Sequence, residues 1–227
     1  DDAPPCKWRH PQHGEPDQLW AYHDIEGRVC FYHARWNDDE GAAVHRGQIT
    51  YCRNGTGAMR WVAKGPPKPY LLYRLPDLAA SPDAPVLLVE GEKAADRAGV
   101  YLPNDWIVTA SFGGSSAAKH SDWSPLSGRN VVIWPDNDTP GSKYAAEAKT
   151  LITEAGAASV RIVALLPGLP KGWDLADPLP GTVTAQTVTS LILPRPTGLA
   201  ARPASTEAGI DDRRNYRILG CEKKTYF

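Results

Sequence analysis

The chain has 227 residues, with 25 Lys and Arg against 26 Asp and Glu, so its formal net charge is −1. This length suits one large domain or two small ones with a buried core. Apolar residues make up 42% of the chain, which excludes a disordered polypeptide, and no apolar run approaches the roughly 20 residues of a membrane-spanning helix. The near-zero charge argues against a basic protein that coats nucleic acid. We therefore expect a soluble, cytoplasmic protein whose chemistry depends on a local site.

Residues 1–75 are predicted to form a small β-rich N-terminal subdomain. Alternating apolar residues on either side of residues 24–27 predict a hairpin with glycine in its turn. A second extended stretch follows at residues 48–52. The proline-rich segment 65–69 is typical of a stiff connector.

Residues 76–193 have the pattern of an α/β domain. Short apolar runs predict strands, and Ala-rich or mixed stretches predict helices between them. The predicted strands are 86–89, 107–109, 131–134 and 160–163, and the predicted helices are 92–100, 143–154 and 182–193. Such alternation is typical of a parallel sheet flanked by helices.

The last part of the chain differs in composition from the α/β segment. Residues 194–214 are rich in Pro, Ala, Arg and Thr, which favours a linker. Residues 215–227 resemble the beginning of a strand pair. We interpret the chain as a piece of a longer protein, with a following domain that starts near Asn215.

Three acidic groups follow the predicted strands. Glu90 comes directly after the first strand, Asp136 and Asp138 come after the third, and Asp174 with Asp177 follow the fourth. Carboxyl ends of parallel strands meet at one edge of a sheet, where ligands bind. Gathered carboxylates repel one another unless a cation is present, and oxygen-only ligands favour Mg²⁺ or Mn²⁺ over zinc.

The distribution of charge agrees with a cation site, although each acidic group also has a purely structural interpretation. Residues 76–190 hold 8 basic and 13 acidic side chains, a net charge of −5. In the structural interpretation, residues 136–137 form a turn, Thr139 is an N-cap with Pro140 at the first helical position, and Glu90 belongs to a strand-to-helix turn. The recurrence of acidic groups at the same end of successive strands favours the site.

Two of these strand ends resemble the signature motifs of the Toprim domain. One motif is Val86–Val89 followed by Glu90 and Gly91, and the other is the strand 131–134 followed by Pro135 and Asp136-Asn-Asp138. Segments 112–115, 134–141 and 171–177 resemble, more narrowly, Toprim domains of phage- and plasmid-type primases and primase-helicases. The resemblance covers about residues 76–190 and implies a Toprim-like α/β fold.

The resemblance also implies roles for single residues. Glu90 takes the place of a general acid/base and metal ligand, and Asp136 and Asp138 take the place of a metal-binding pair. These three are the implied catalytic residues. Asp174 matches a later acidic position and is a fourth implied metal ligand. Asp96 lies two residues beyond Ala94, the position at which many such primases carry an aspartate.

Lysine and glycine residues near the predicted edge are candidates for contacts with nucleic acid or nucleotides. Lys93, Lys119 and Lys143 suit phosphate or template contacts, but solvated helix surface explains each of them equally well. Gly113 and Gly114 would let a backbone approach a phosphate closely, and an ordinary loop is the alternative.

The implied function is that of a primase-type nucleotidyltransferase in a phage or mobile-element replication protein. Such an enzyme makes RNA or DNA primers on a single-stranded DNA template from nucleoside triphosphates, with Mg²⁺ or Mn²⁺ as cofactor. The expected partner is a helicase or other replication domain that follows in the same chain, and no membrane is involved. The alternatives are a metal-dependent Toprim nuclease and a non-catalytic Toprim scaffold that binds DNA beside a helicase.

Cysteine and histidine pairs near the beginning of the chain raise the question of zinc. Cys6, His10 and His13 have spacings that zinc sites use. Cys30 and His33 lie three residues apart on a predicted strand, which sends them to opposite faces. We favour reduced thiols over a zinc site and leave open whether Cys6, His10 and His13 bind a metal.

Overall fold

The computed structural model describes residues 6–38, 43–181 and 183–193. The first part is an antiparallel sheet with the order β1-β2-β3-β4. Its strands are β1 (Gln18–His23), β2 (Val29–Asn37), β3 (Ala43–Arg53) and β4 (Met59–Ala63). The predicted hairpin is confirmed: Gly27 has a φ of 83°, and its N–H donates to the Asp24 carbonyl at 3.0 Å. The predicted linker 194–214 and following domain 215–227 lie outside the described residues.

The second part is a parallel sheet with the order β6-β5-β7-β8. Its strands are β5 (Val86–Val89), β6 (Ile107–Ala110), β7 (Asn130–Ile133) and β8 (Ser159–Ile162), each within one residue of its predicted position. The helices are α1 (Leu75–Ala80), α2 (Glu92–Ala98), α3 (Thr139–Glu154) and α4 (Ala185–Ile192). The predicted fold class, a parallel sheet flanked by helices behind a β-rich N-terminal part, is confirmed.

Alternate strand residues enter two separate hydrophobic clusters, as the two-residue period of a strand requires. On one face, Val86 and Leu88 pack with the buried side of α3. On the other face, Leu87 and Val89 pack with the alanines of α2 and with α4. The apolar runs are therefore continuous because both faces of the sheet are covered.

The N-terminal sheet packs onto the α/β part through aromatic side chains. Tyr22 and Phe31 are buried in the same cluster as Val86 and Leu88. Their rings stack at 4.4 Å, and the Phe31 ring meets that of Phe112 at 5.0 Å. The two sheets consequently share one hydrophobic core.

Helix α2 joins the two sheets through a buried carboxylate. The Tyr22 hydroxyl donates to Glu92 Oε1 at 2.6 Å, and His33 Nδ1 lies 2.8 Å from the same oxygen. Burial raises the pKa of Glu92, but the hydrogen bonds and charge interactions with His33 and Tyr22 outweigh it, so the pKa lies below its usual value. His33, which the sequence pairs with Cys30, is thus a partner of Glu92.

Within the described part of the chain, no helix combines the length and the apolar character needed to cross a membrane.

Candidate metal and nucleotide site

The acidic groups lie at the carboxyl edge of the parallel sheet. Glu90 follows β5 and Asp136 follows β7, and these strands are hydrogen-bonded neighbours with Leu88 opposite Ile133. Asp174 belongs to the loop that continues from β8, the neighbour of β7 on its other side. The strand order therefore brings these side chains to one edge.

The electrostatics of Asp136 show how closely the acidic side chains gather. Burial, and after it the carboxylates of Glu90, Asp174, Asp138 and Asp177, together raise the pKa of Asp136 to about 8. Burial also raises the pKa of Asp174, against the opposing effect of Lys93. At neutral pH and without a cation, Asp136 is therefore largely protonated.

The carboxylates gather without reaching the distances of a closed metal site. Among the described residues, no three acidic side chains place ligand atoms within 4.8 Å of one another. Local hydrogen bonds hold two of these carboxylates in place: Asp138 Oδ1 accepts from the Gly141 N–H at 2.7 Å, and Asp174 Oδ1 accepts from the Ala176 N–H at 2.6 Å. The donor set fits Mg²⁺ or Mn²⁺ chemically, because every candidate ligand is a carboxylate oxygen.

The beginning of α3 corrects one part of the structural interpretation. Asp138, rather than Thr139, is the N-cap, and Thr139 is the first helical residue. An aspartate caps a helix well because its carboxylate oxygen accepts a hydrogen bond from a backbone N–H that has no partner within the helix. One oxygen of Asp138 thus serves the helix, while its Oδ2 lies 3.8 Å from the position of a β-carbon at Gly172.

The loops that carry Asp136 and Asp174 are joined to each other. Asn137 Nδ2 donates to the carbonyls of Leu169 and Pro170, both at 2.8 Å. The Asn137 N–H donates to the Trp173 carbonyl at 3.0 Å, and its own carbonyl accepts the Gly172 N–H at 2.9 Å. Four hydrogen bonds from one residue therefore hold these loops together as one unit.

The predicted glycine loop runs beside Glu90. Gly113 and Gly114 have φ values of 84° and 58°, which side-chain-bearing residues rarely adopt. A β-carbon on Gly114 would lie 3.5 Å from Glu90 Oε1. The conformation and this close approach explain the glycines, and a phosphate contact stays a prediction.

The three candidate lysines are all exposed, and they occupy different positions. Lys93 lies on the first turn of α2 and interacts with Asp174. Lys119 lies in a short 3₁₀ turn, and Lys143 lies on the outer side of α3. The interaction with Asp174 ties Lys93 to the acidic edge, and contacts of all three lysines with nucleic acid stay predictions.

Tyr144 is a residue near the site that the sequence analysis did not single out. It is fully buried, and its hydroxyl lies 2.8 Å from Ser111 Oγ. Burial and the carboxylates of Glu90 and Asp136 raise its pKa, whereas the hydrogen bonds with Ser111 lower it. In the sequence, Tyr144 lies three residues after Gly141, and this helical spacing places both residues on the buried face of α3.

Asp96 has a structural role that the motif comparison did not indicate. Its carboxylate accepts hydrogen bonds from Trp20 Nε1 at 2.8 Å, from the Tyr73 hydroxyl at 2.9 Å and from Arg74 at 2.8 Å. It ties α2 to the N-terminal sheet and to residues 73–74, which directly precede α1.

Gly141→Ala is expected to lower the free energy of unfolding by about 1–3 kcal/mol. A β-carbon at this position would lie 2.5 Å from the Asp136 carbonyl oxygen and 2.9 Å from its backbone nitrogen. Backbone atoms cannot move aside as a flexible side chain does, so the contact outweighs the better helix propensity of alanine, up to about 1 kcal/mol. Urea denaturation measures the difference.

Gly99→Ala is the matched control, because Gly99 has an ordinary φ of −55° and open space around its β-carbon position. We expect this variant to be neutral or slightly more stable. Equal stability of both variants would contradict the close packing of α3 on the Asp136 turn.

Comparison with known proteins adds structural neighbours. No protein-family model matches the sequence, and no curated protein is significantly similar to it. The solved structures that resemble the chain include several DNA primase domains. The low sequence identities and TM-scores of these structures establish no shared family. A function for this chain must therefore be argued from its own residues.

Three of these neighbours cover most of the chain. The primase fragment of the bacteriophage T7 primase-helicase protein is 16% identical with a TM-score of 0.46, over 72% of this chain and 59% of that one. The zinc-binding and RNA polymerase domains of the Aquifex aeolicus primase are 20% identical with a TM-score of 0.46, over 77% and 39%. A DNA primase domain from Pseudomonas aeruginosa is 15% identical with a TM-score of 0.42, over 74% and 50%. The chain thus spans between 39% and 59% of the length of these neighbours.

Proposed function

We propose that the chain is the metal-dependent nucleotidyltransferase module of a primase, which joins nucleotides into a primer on single-stranded DNA. The observation that carries the proposal is that Glu90, Asp136 and Asp174 follow neighbouring strands at one edge of the parallel sheet, where burial and the surrounding carboxylates together raise the pKa of Asp136 to about 8. Acidic side chains that share one ligand-binding edge repel one another, and a bound cation would offset this repulsion. The resemblance of the Glu90 and Asp136-Asn-Asp138 motifs to Toprim primases supports the choice of reaction.

Glu90, Asp136, Asp138 and Asp174 are the residues that would hold Mg²⁺ or Mn²⁺. When bound, the ions would offset the charge of a nucleoside triphosphate and favour ionisation of the attacking hydroxyl. Asp136 would release the proton that it holds at neutral pH when a cation binds to its carboxylate. Lys93, on the exposed surface next to Asp174, would contact an incoming phosphate.

The wider setting of the proposal rests on the resemblance. We place the module in a phage or mobile-element replication protein, with a helicase or other replication domain in the same polypeptide. Single-stranded DNA and nucleoside triphosphates are its expected ligands.

Primer synthesis is the direct test. The chain, and a longer version that includes the downstream sequence, are incubated with single-stranded DNA of mixed sequence, labelled nucleoside triphosphates and Mg²⁺ or Mn²⁺. We expect short labelled products that require both the cation and the template. Their absence from both proteins would contradict the proposal.

Two further reactions separate the alternatives. A nuclease would cut a labelled DNA strand with the cation but without added nucleotides. A non-catalytic scaffold would bind the strand, measured by fluorescence anisotropy, with neither synthesis nor cleavage, and Asp136→Ala would leave that binding unchanged.

A further inference from the structure

Three histidine side chains come together at one end of the N-terminal sheet. They belong to different segments of the chain from the acidic residues at the edge of the parallel sheet. His10 and His13 lie in the segment before β1, and His45 lies near the beginning of β3. One ring nitrogen from each of them can be chosen so that all three lie within 4.8 Å of one another. Within the described residues, no other three His, Cys, Asp or Glu side chains meet this condition.

Backbone hydrogen bonds in the 10–14 turn and in the N-terminal sheet bring His45 next to His10 and His13. His45 is separated from His13 by 31 intervening residues and reaches the cluster through its place in the sheet, opposite Trp36 of β2. The segment of His10 is closed by a pair of backbone hydrogen bonds with Gly14, at 2.7 and 2.9 Å. Trp36 Nε1 donates to the Gly14 carbonyl at 3.1 Å, which fastens this turn to the sheet.

Aromatic packing forms the inner wall of the cluster. The Trp36 ring lies 5.4 Å from the His10 ring and 5.2 Å from the His45 ring. The three imidazoles themselves lie 4.6 to 5.1 Å apart between ring centroids. His13 forms the outer side, where it is exposed to solvent. Trp36 therefore packs against one side of the histidine cluster, and the other side is exposed to solvent.

The chemistry of three adjacent imidazoles favours a cation over three protons. Two or three imidazolium groups with ring centroids 4.6 to 5.1 Å apart repel one another, whereas one shared cation removes this repulsion. Neutral imidazole is the form that binds a transition metal, and three protein nitrogens with one open position match a four-coordinate zinc site completed by water. Carboxylate-preferring ions such as Mg²⁺ are disfavoured by this all-nitrogen donor set.

We propose that His10, His13 and His45 bind one divalent transition-metal ion of the zinc type, separate from the Mg²⁺ or Mn²⁺ site. The ion fastens residues 10–14 to the beginning of β3 and leaves its outermost position to solvent. The site shares two histidines with the motif noticed in the sequence, but His45 takes the place considered for Cys6. Cys6 instead packs beside Trp8 and Tyr32 in a hydrophobic cluster.

Metal binding is expected to rearrange the 10–14 turn slightly. The N–H groups of Gln12 and His13 approach His10 Nδ1 at 3.1 and 3.2 Å. If His10 binds through Nε2, its ring proton must move to Nδ1, and these two contacts are given up. The backbone amides of residues 12 and 13 are therefore the groups whose signals should shift on binding.

The test uses the full chain, purified without a histidine tag and stripped with a chelator. Cobalt(II) is titrated first, since its visible absorption reports coordination geometry, and zinc affinity is then measured by competition with a chromogenic chelator. We expect one equivalent of metal per chain and the spectrum of a nitrogen-rich, four- or five-coordinate ion. His13→Ala and His45→Ala should each lower zinc affinity by more than about 100-fold, beyond the roughly 10- to 100-fold cost of losing a supporting residue.

His23→Ala is the matched control, because His23 is a half-buried histidine of the same sheet outside the cluster. It should bind zinc as the unmodified chain does. His13 is exposed, so His13→Ala keeps the test valid even if His45→Ala fails to fold. Less than half an equivalent of bound cobalt, or equal zinc affinities of His13→Ala and the unmodified chain, would overturn the proposal. Neither result depends on primer synthesis.

Discussion

Asp136→Asn is expected to abolish the proposed metal-dependent nucleotide polymerisation and at the same time to raise the melting temperature of the metal-free protein. The loss of activity should reach at least about 1,000-fold, or about 4 kcal/mol, because a neutral amide lacks the negative charge of a carboxylate and binds a divalent cation more weakly. The gain in stability follows from the raised pKa of about 8, which shows that the folded protein disfavours a charge at this position. We expect about 1–2 kcal/mol, or roughly 2–8 °C, since solvent reaches part of the side chain.

The pH dependence of stability gives the same prediction a second measurement. The folded state holds the Asp136 proton up to pH about 8, whereas an unfolded aspartate releases it near pH 4. Between these values the folded state binds more protons, so the free energy of unfolding of the metal-free protein should fall as pH rises. Asp136→Asn should remove the contribution of Asp136 and leave only the part of the slope that Asp174 contributes.

Asp83→Asn is the matched control, because Asp83 is an exposed aspartate in the loop before β5. It should change neither activity nor the pH slope. Addition of Mg²⁺ or Mn²⁺ should stabilise the unmodified protein and the control, and have little effect on Asp136→Asn. Full polymerase activity of Asp136→Asn would contradict the assignment of the site.

Arg129→Ala should destabilise the fold by about 3–5 kcal/mol, or roughly 6–20 °C in melting temperature. The side chain is buried, with 6% of its surface exposed. Its guanidinium donates to the carbonyls of Ser81 at 2.6 Å, Pro125 at 2.9 Å and Ala84 at 3.3 Å, and also to that of Leu78. Alanine would leave these carbonyls with fewer donors in an interior where water cannot reach all of them.

Arg129→Lys distinguishes geometry from charge. A single ammonium cannot match a planar guanidinium that reaches several carbonyls, so we expect an intermediate loss of stability. Arg97→Ala, at an exposed position on α2, should be nearly neutral. Thermal and urea denaturation of the three variants give the comparison, and equal effects of Arg129→Ala and Arg97→Ala would contradict this role for Arg129.

The parallel sheet could be predicted because its signal is local. Val86–Val89 is an uninterrupted apolar run that only a strand covered on both faces explains well, and its predicted bounds agree with β5. Helix α1 was missed because it has six residues and buries only Leu75 and Leu78, too few for a helical period to show. It begins after Arg74, whose φ of 57° no sequence pattern announces.

The site shows the same division between local and distant information. Strand order placed Glu90 and Asp136 on one edge, and this needed only the rule for parallel sheets. The partnership of His33 with Glu92 joins residues 59 positions apart, and the meeting of His45 with His10 depends on the register of β2 and β3. Spacing in the sequence cannot contain such contacts, so the candidate zinc ligands were drawn from near neighbours, which included Cys6 and omitted His45.

The indole pair behind the acidic edge gives the protein a built-in optical probe. Trp134 and Trp173 lie 6.3 Å apart with their rings at 60°, and Trp173 directly precedes Asp174 while Trp134 stands two residues before Asp136. At this separation the electronic transitions of two indoles couple, which gives a near-ultraviolet circular dichroism signal that depends on their mutual angle. A cation or nucleotide that changes the relative position of Trp134 and Trp173 is expected to change this signal, so binding at the acidic edge can be followed without a label.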